Sequence, residues 1–459
     1  MSEDPYRQLV RAGLAPWVEE VSEGPEWTEL EEDAAIDRSR GRKPVPGWIA
    51  AGIAAVAVLG VFGVTSLIPR ADETPTATTN PSVTSTTTLP ASNELGLWQR
   101  VDDTEGEFSM PGDQVVSGIA GGPAGFVAVG EDERSTSSED DEAAVWMSPN
   151  GTEWSRVASD ASFVDSAMAD VVWFPEAELF VAVGLHVSDG AVWVSADGGN
   201  WERVALLEFT QPPGGIEVDA ITVGGPGVVA VGREWLSEGL SIPAVWASSD
   251  GRQWNRTGDL AQFGDQAAMV DVVQHGMSVY SIGYVNESEP AIWESTDLAN
   301  WQLLPVDSLD GESVVFTSIG SDQTALAITG SSSAEDVDAR VWTSADGQTW
   351  RPRQQPALNV GIPALQDVTI TPHGWLAVGM DGTTYRPSTG AAVWMSIDGE
   401  VWQRYPTDSG ALSPDPAAVA MITAGYGNDV GIAGGVTGET CVERFADCNL
   451  DAAFWTWTP

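Results

Sequence analysis

The chain has 459 residues and a formal charge of −47, from 67 acidic against 20 basic side chains, with Lys43 its single lysine. Such a field repels phosphate backbones, so nucleic-acid binding is excluded. Hydrophobic residues at 42% allow a large buried core, and the three scattered histidines and two cysteines give no metal cluster and no His-based triad.

Residues 1–43 carry eleven acidic and six basic side chains and predict a mostly disordered tail. Residues 44–69 contain no charge, and the stretch 47–68, GWIAAGIAAVAVLGVFGVTSLI, is long enough to cross a hydrocarbon core of about 30 Å as a helix. Arg38, Arg40, Arg42 and Lys43 precede it and Arg70 follows, which predicts a cytoplasmic N-terminus and a single pass through the cell membrane. A cleaved signal peptide would need a 43-residue leading region and fits less well. Residues 70–94, rich in Thr, Ser and Pro, read as a linker holding the next domain off the membrane.

Residues 95–459 repeat. The unit is an apolar pair, a Ser-x-Asp-Gly turn and a tryptophan, as in VWVSADGGNW (192–201) and VWTSADGQTW (341–350). The closing residues Trp154, Trp201, Trp254, Trp301, Trp350 and Trp402 are spaced by 47, 53, 47, 49 and 52. A period near 50 built from short strands predicts an all-β propeller. Each period divides into strands A to D, which for the third are 218–223, 227–232, 244–248 and 254–257, with the Asp-Gly turn joining C to D. Trp98 stands in a D-type strand with no C strand before it, and AAFWTW (452–457) is a C-type strand with no D strand after it. Pairing the two gives seven blades, the N-terminal strand completing the last and leaving no open edge.

These turns resemble the Asp-box (BNR) repeats of sialidase-like propellers. The matching residues are Ser148/Asn150/Trp154, Ser195/Asp197/Trp201, Ser248/Asp250/Trp254, Ser295/Asp297/Trp301, Ser344/Asp346/Trp350 and Ser396/Asp398/Trp402, with Leu298 standing in the fourth where Gly belongs. In that family the boxes are structural turns away from the catalytic centre, so the resemblance implies the scaffold. The sialidase-like alternative, a glycoside hydrolase acting on an anionic sugar, would need a cluster of arginines and a tyrosine nucleophile. Seven blades, and the lack of an Arg-Ile-Pro start, depart from that pattern.

A–B and C–D turns of a propeller open on one face, B–C and D–A connections on the other. The longer segments, among them 131–142, 206–217, 354–365 and 435–451, fall on the second face, where binding is expected. Arg134, Arg233, Arg340, Arg386 and Arg444 lie in or beside its B–C connections, with Tyr385 next to Arg386. Their fork-shaped donors suit a carboxylate or phosphate if they converge, and local ion pairs if they do not. Five other arginines follow a W-x-R pattern in D strands (Arg100, Arg156, Arg203, Arg256, Arg404) and read as structural. The main expectation is a non-enzymatic binding or scaffolding domain taking a protein or carbohydrate ligand on the long-loop face. No cofactor is expected; the acidic run 131–142 has hard oxygen ligands suited to Ca²⁺ but no EF-hand spacing. Cys441 and Cys448 are expected to form a disulfide in an extracytoplasmic domain.

Overall fold

The computed structural model describes residues 97–110, 112–133, 141–206, 215–237, 240–306, 314–332, 339–353, 363–381, 390–405, 410–413, 417–439 and 450–458. The expected tail, membrane segment and linker lie outside these residues. So do Arg134, Tyr385, Arg386, Cys441, Arg444 and Cys448. Among the described residues no helix is long and apolar enough to cross a membrane.

Strands β1 to β28, numbered in chain order, form seven four-stranded sheets, the blades of an all-β propeller. The A strands of blades 1 to 7 are β2 (Asp113–Gly122), β6 (Ser166–Phe174), β10 (Ile216–Gly224), β14 (Ala268–His275), β18 (Val314–Ser321), β22 (Pro363–Thr371) and β26 (Ala417–Gly427). Each A strand packs on the next, and β26 packs on β2, so these innermost strands close into a ring. In blade 7 the order is β1–β28–β27–β26: β1 (Leu97–Arg100) pairs antiparallel with β28 (Leu450–Thr458), setting Trp98 opposite Trp457, and β27 is Val430–Glu439.

The apolar side chains fall into seven clusters, one between each pair of neighbouring blades. The cluster joining blades 7 and 1 sets Ile432 and Phe454 against Val116, Phe126 and Trp146. Strands buried on both faces explain why each blade reads as apolar runs such as FVAVG or AVWAS rather than as a strict alternation.

One local device recurs in every blade. The A strand carries a β-bulge, with register shifts at Val116/Gly118, Met168/Asp170, Val218/Ala220, Met269/Asp271, Phe316/Ser318, Leu365/Asp367 and Met421/Thr423. The bulge pushes an A-strand carbonyl against one B-strand position. A Cβ on Gly130, Gly232 or Gly379 would lie only 1.8, 2.0 or 2.0 Å from that oxygen, so only glycine fits.

The W-x-R arginines pair opposite the buried C-strand tryptophans: Arg156 with Trp146, Arg203 with Trp193, Arg256 with Trp246, Arg404 with Trp394 and Arg100 with Trp455. In three blades the guanidinium reaches past the indole to a B-strand carboxylate: Arg156 to Asp132 at 2.8 Å, Arg256 to Glu234 and Arg404 to Asp381. The Arg156 pair extends the first hairpin. Glu131–Glu133 therefore belong to strand B (Gly125–Glu133) and Asp141 and Glu142 to strand C (Asp141–Ser148), so the acidic run is not the continuous loop the sequence suggests. Likewise 435–439 and 450–451 are strand, leaving 440–449 as the connection.

Candidate functional site

On the face of the A–B and C–D turns, the Asp-box hairpins consume their own polar atoms. Asp197 Oδ1 accepts the backbone N–H groups of Gly199 and Asn200 at 2.9 and 2.8 Å, and Ser195 Oγ accepts that of Gly198 at 2.9 Å. Trp201 then donates its indole N–H to the Gly198 carbonyl at 2.7 Å. Asp250, Asp297, Asp346 and Asp398 accept the same two backbone N–H groups, and Asn150 does so with its amide oxygen. These donors hold the Asp346 carboxyl down at about 2. The turn glycines take positive φ, 76° at Gly198 for example, and Leu298 adopts 60° in the same place. Its side chain is 5% exposed, packed in the cluster between blades 3 and 4.

The opposite face is lopsided. The B–C connection spans two or three residues in blades 2, 3 and 4 (187–188, 238–239 and 286–288). It spans 333–338, 382–389, 440–449 and 134–140 in blades 5, 6, 7 and 1, which are adjacent around the ring. Arg340 stands in the C strand of blade 5 (Ala339–Ser344), partly buried.

Arg233 does not face outward. It is 5% exposed, in the B strand of blade 3 (Gly227–Ser237), with Nε 3.1 Å from Glu217, Nη2 3.5 Å from Asp219 and Nη1 donating to the Tyr284 hydroxyl of blade 4 at 2.6 Å. The Trp235 ring lies 5.4 Å from the guanidinium, and its indole N–H donates to Glu217 at 3.2 Å. Burial pushes the Asp219 carboxyl up to about 8, with Arg233 opposing and Glu217 adding to the rise. Apart from that 3.5 Å approach of Arg233, no hydrogen-bond donor meets either Asp219 oxygen. Burial opposes the charge on Arg233, but Asp219 and Glu217 outweigh it and keep the guanidinium protonated. This guanidinium is engaged inside the interface of blades 3 and 4.

The sequence reading missed a second group, on the channel wall. Just after the bulge, blades 2, 4 and 6 carry Asp170, Asp271 and Asp367, where blades 1, 3, 5 and 7 carry Gly118, Ala220, Ser318 and Thr423. Each aspartate accepts a backbone N–H from the next blade: Ile221 at 3.0 Å, Ile319 at 2.7 Å and Ala424 at 2.8 Å. Its other oxygen accepts the N–H of the following residue in its own strand, at 2.7 Å in all three. The available signal was an acid inside an otherwise apolar strand, as in ADVVW and VDVVQ. Among the described residues no three His, Cys, Asp or Glu side chains are placed to hold a metal ion. His186 Nδ1 is 3.1 Å from Ser166 Oγ, and His275 Nδ1 is 2.9 Å from Ser321 Oγ, on opposite faces.

No described protein family and no curated protein sequence matches the chain. Among solved structures it is similar to YCF48 bound to D1 peptide, at 11% identity over 79% of this chain and 98% of that one, with a TM-score of 0.47. It is also similar to a protein from Lactobacillus plantarum, at 12% identity over 63% and 83%, TM-score 0.46. A third likeness is to Trypanosoma rangeli sialidase in complex with the inhibitor DANA, at 14% identity over 64% and 54%, TM-score 0.39. At these identities and TM-scores the likenesses carry no inference about function.

Proposed function

We propose that this chain is a membrane-anchored, extracytoplasmic β-propeller that serves as a binding or scaffolding domain for a protein ligand. In this reading residues 47–68 span the cell membrane, 70–94 form the stalk, β1 locks the ring shut, and Cys441 and Cys448 form one disulfide. The observation that carries it is the division of the two faces. The Asp-box face has its polar groups tied up within its own turns, as the Asp197 hairpin illustrates. The other face varies on a constant scaffold, and its long B–C connections gather on the adjacent blades 5, 6, 7 and 1. Three of these connections carry Arg134, Arg386 and Arg444 by sequence, uncommon cations in so acidic a chain, with Tyr385 beside Arg386.

A photo-crosslinking residue placed in the full-length chain, in its own membrane, tests this directly. Val164 and Val315, 41% and 41% exposed, flank the long-connection arc, whereas Met277 and Ile397, 89% and 52% exposed, stand on the Asp-box face. Discrete protein adducts are expected from the first pair and not from the second; adducts from both faces alike, or from neither, would defeat the reading. Protease added outside intact cells should remove the propeller and spare residues 1–43.

The alternative, a sialidase-like hydrolase of an anionic sugar, is disfavoured by Arg233. Its guanidinium is already held by Glu217, Asp219 and Tyr284 and is not offered to a substrate. Turnover of a panel of fluorogenic sialosides by the purified chain would reinstate it.

A further inference from the structure

Asn150 and Gly151 form the one Asn-Gly pair in the chain. In such a pair the glycine nitrogen can attack the side-chain amide, because no Cβ on the second residue stands in the way. The five other Asp boxes carry Asp197, Asp250, Asp297, Asp346 and Asp398 where the first carries Asn150. Loss of the amide would bring this box into line with the rest, and the fold controls whether that happens.

Three features of the native turn bear on the reaction. The Gly151 N–H donates to Ser148 Oγ at 2.8 Å in a buried bond, so the nitrogen that must attack is already committed. Asn150 Oδ1 accepts the N–H groups of Thr152 and Glu153 at 2.9 and 3.0 Å and the Thr152 hydroxyl at 3.0 Å, which holds the amide forward along the hairpin. Gly151 itself is walled in. A Cβ placed on it would lie 2.3 Å from Ile432 Cδ1 and 3.5 Å from Val430 Cγ1, both on β27 of blade 7. Trp154 donates its indole N–H to the Gly151 carbonyl at 2.8 Å and stacks on Phe454 of blade 7, with ring centroids 4.1 Å apart. The turn is thus clamped against blade 7.

We propose that Asn150–Gly151 is a deamidation site that the native turn holds closed, and that reacts when the seam between blades 7 and 1 parts. Water is the only co-reactant. The Gly151 nitrogen bonds to Asn150 Cγ, its proton passes to solvent and ammonia leaves, giving a five-membered cyclic imide. Water then opens the imide on one side or the other. Cleavage of the new bond to Cγ leaves an ordinary aspartate, whose oxygen can accept the same two N–H groups, as that of Asp197 does. Cleavage at the main-chain carbonyl reroutes the chain through the side chain as isoaspartate. That product lengthens the backbone by one methylene, so the pairings of Met147 with Ser155 and Trp146 with Arg156 lose their register. The ion pair of Arg156 with Asp132 depends on that register. One product is silent, and the other damages blade 1 for good.

The two N–H groups on Oδ1 also polarise the amide, which by itself favours attack. Alignment opposes it, because the nitrogen and Cγ must meet in a set geometry. Closing the imide pulls the amide off Thr152 and Glu153 and pulls Gly151 off Ser148. Reaction therefore waits on local opening, and its rate follows the open fraction. The site is independent of what the long-connection face binds.

The test is a time course of the full-length chain in detergent at pH 8, folded or unfolded in urea. The peptide containing Asn150 is read by mass spectrometry for loss of the amide and for its isoaspartate fraction. The folded wild type should convert at least about tenfold more slowly than the unfolded chain. Ser148→Ala frees the Gly151 N–H and should speed conversion several-fold in the folded chain, with the rate in urea unchanged. Ile432→Ala, which removes the wall from across the seam, should do the same and decides the matter if Ser148→Ala fails to fold. Asn150→Asp should melt as the wild type does. Conversion as fast or faster in the folded chain would overturn the proposal, as would folded Ser148→Ala and Ile432→Ala chains that convert at the wild-type rate.

Discussion

Replacing Arg233 by Met should be among the most damaging single substitutions in the propeller. The guanidinium is 6% exposed, Glu217 9% and Asp219 1% at the side chain, so water cannot compensate a charge left behind. Glu217 lies nearer the guanidinium, at 3.1 Å against 3.5 Å for Asp219, and burial pushes the Asp219 carboxyl up. Removing the cation strands Glu217, and breaking one partner of a buried pair costs about 3–5 kcal/mol. Removing both costs far less, because two matched apolar or neutral groups leave no uncompensated charge. The assay is urea unfolding of the full-length chain at pH 7, read by tryptophan fluorescence, for Arg233→Met, Glu217→Gln and the double variant. The double should recover at least half of the loss seen in Arg233→Met. If it unfolds no later than Arg233→Met, or if Arg233→Met itself falls within about 1 kcal/mol of wild type, the cluster is not a charge-balanced pair and the reasoning fails.

Gly347→Ala should lower the melting temperature, because its Cβ would sit 2.1 Å from the Tyr280 hydroxyl and its φ is 68°; about 1–3 kcal/mol is expected, and a melt matching wild type would contradict the packing. Leu298→Gly should relieve a φ of 60° yet still destabilise by about 1 kcal/mol, since burying a leucine contributes about 1.5–3 kcal/mol and relief of the backbone returns only 1–2. Asp346→Asn should leave the melt at pH 7 nearly unchanged, as Asn150 makes the same turn with an amide oxygen. Asp346 is held low, at about 2, by the Thr349 and Gln348 N–H groups, so the stability it contributes is present above the usual aspartate range and lost as the pH drops toward 2; the variant should lose that acid limb in a pH series of melts.

The seven-bladed plan was legible because each blade repeats a turn whose chemistry is local. Ser, Asp, Gly and Trp within seven positions build a hairpin without help from elsewhere, so the period survives in the sequence. The bulge was not legible from any one blade. Its mark is the glycine closing VAVG at 127–130, 181–184 and 229–232, present in the sequence but meaningful only once an A-strand carbonyl is seen beside it. Loop and strand were misjudged where a charged residue found a partner inside the sheet, as Asp132 did with Arg156. Of the candidate arginines, Arg233 reads as a loop donor because Glu-Trp-Leu-Ser-Glu follows it, whereas the hairpin runs on to Ser237.

The hub shows why spacing alone misleads. Blades 2, 3, 4 and 6 each place an aspartate in strand A, in ADVV, VDAI, VDVV and QDVT, and by eye the four look equivalent. The bulges separate them. Asp170, Asp271 and Asp367 come just after the irregularity, but in blade 3 that place belongs to Ala220, and Asp219 is the bulged residue itself. A one-residue offset sends a strand side chain to the other side. Three aspartates therefore reach the neighbouring inner strand along the channel, while Asp219 turns into the blade 3–4 interface, where no backbone donor awaits it. A carboxyl buried there requires a cation nearby or a retained proton, and Arg233 in the adjacent strand supplies the first while the raised Asp219 supplies the second. The arginine that looked like a ligand-binding donor is thus engaged inside the interface, by Glu217 and Tyr284 together with the aspartate that the bulge turns toward it.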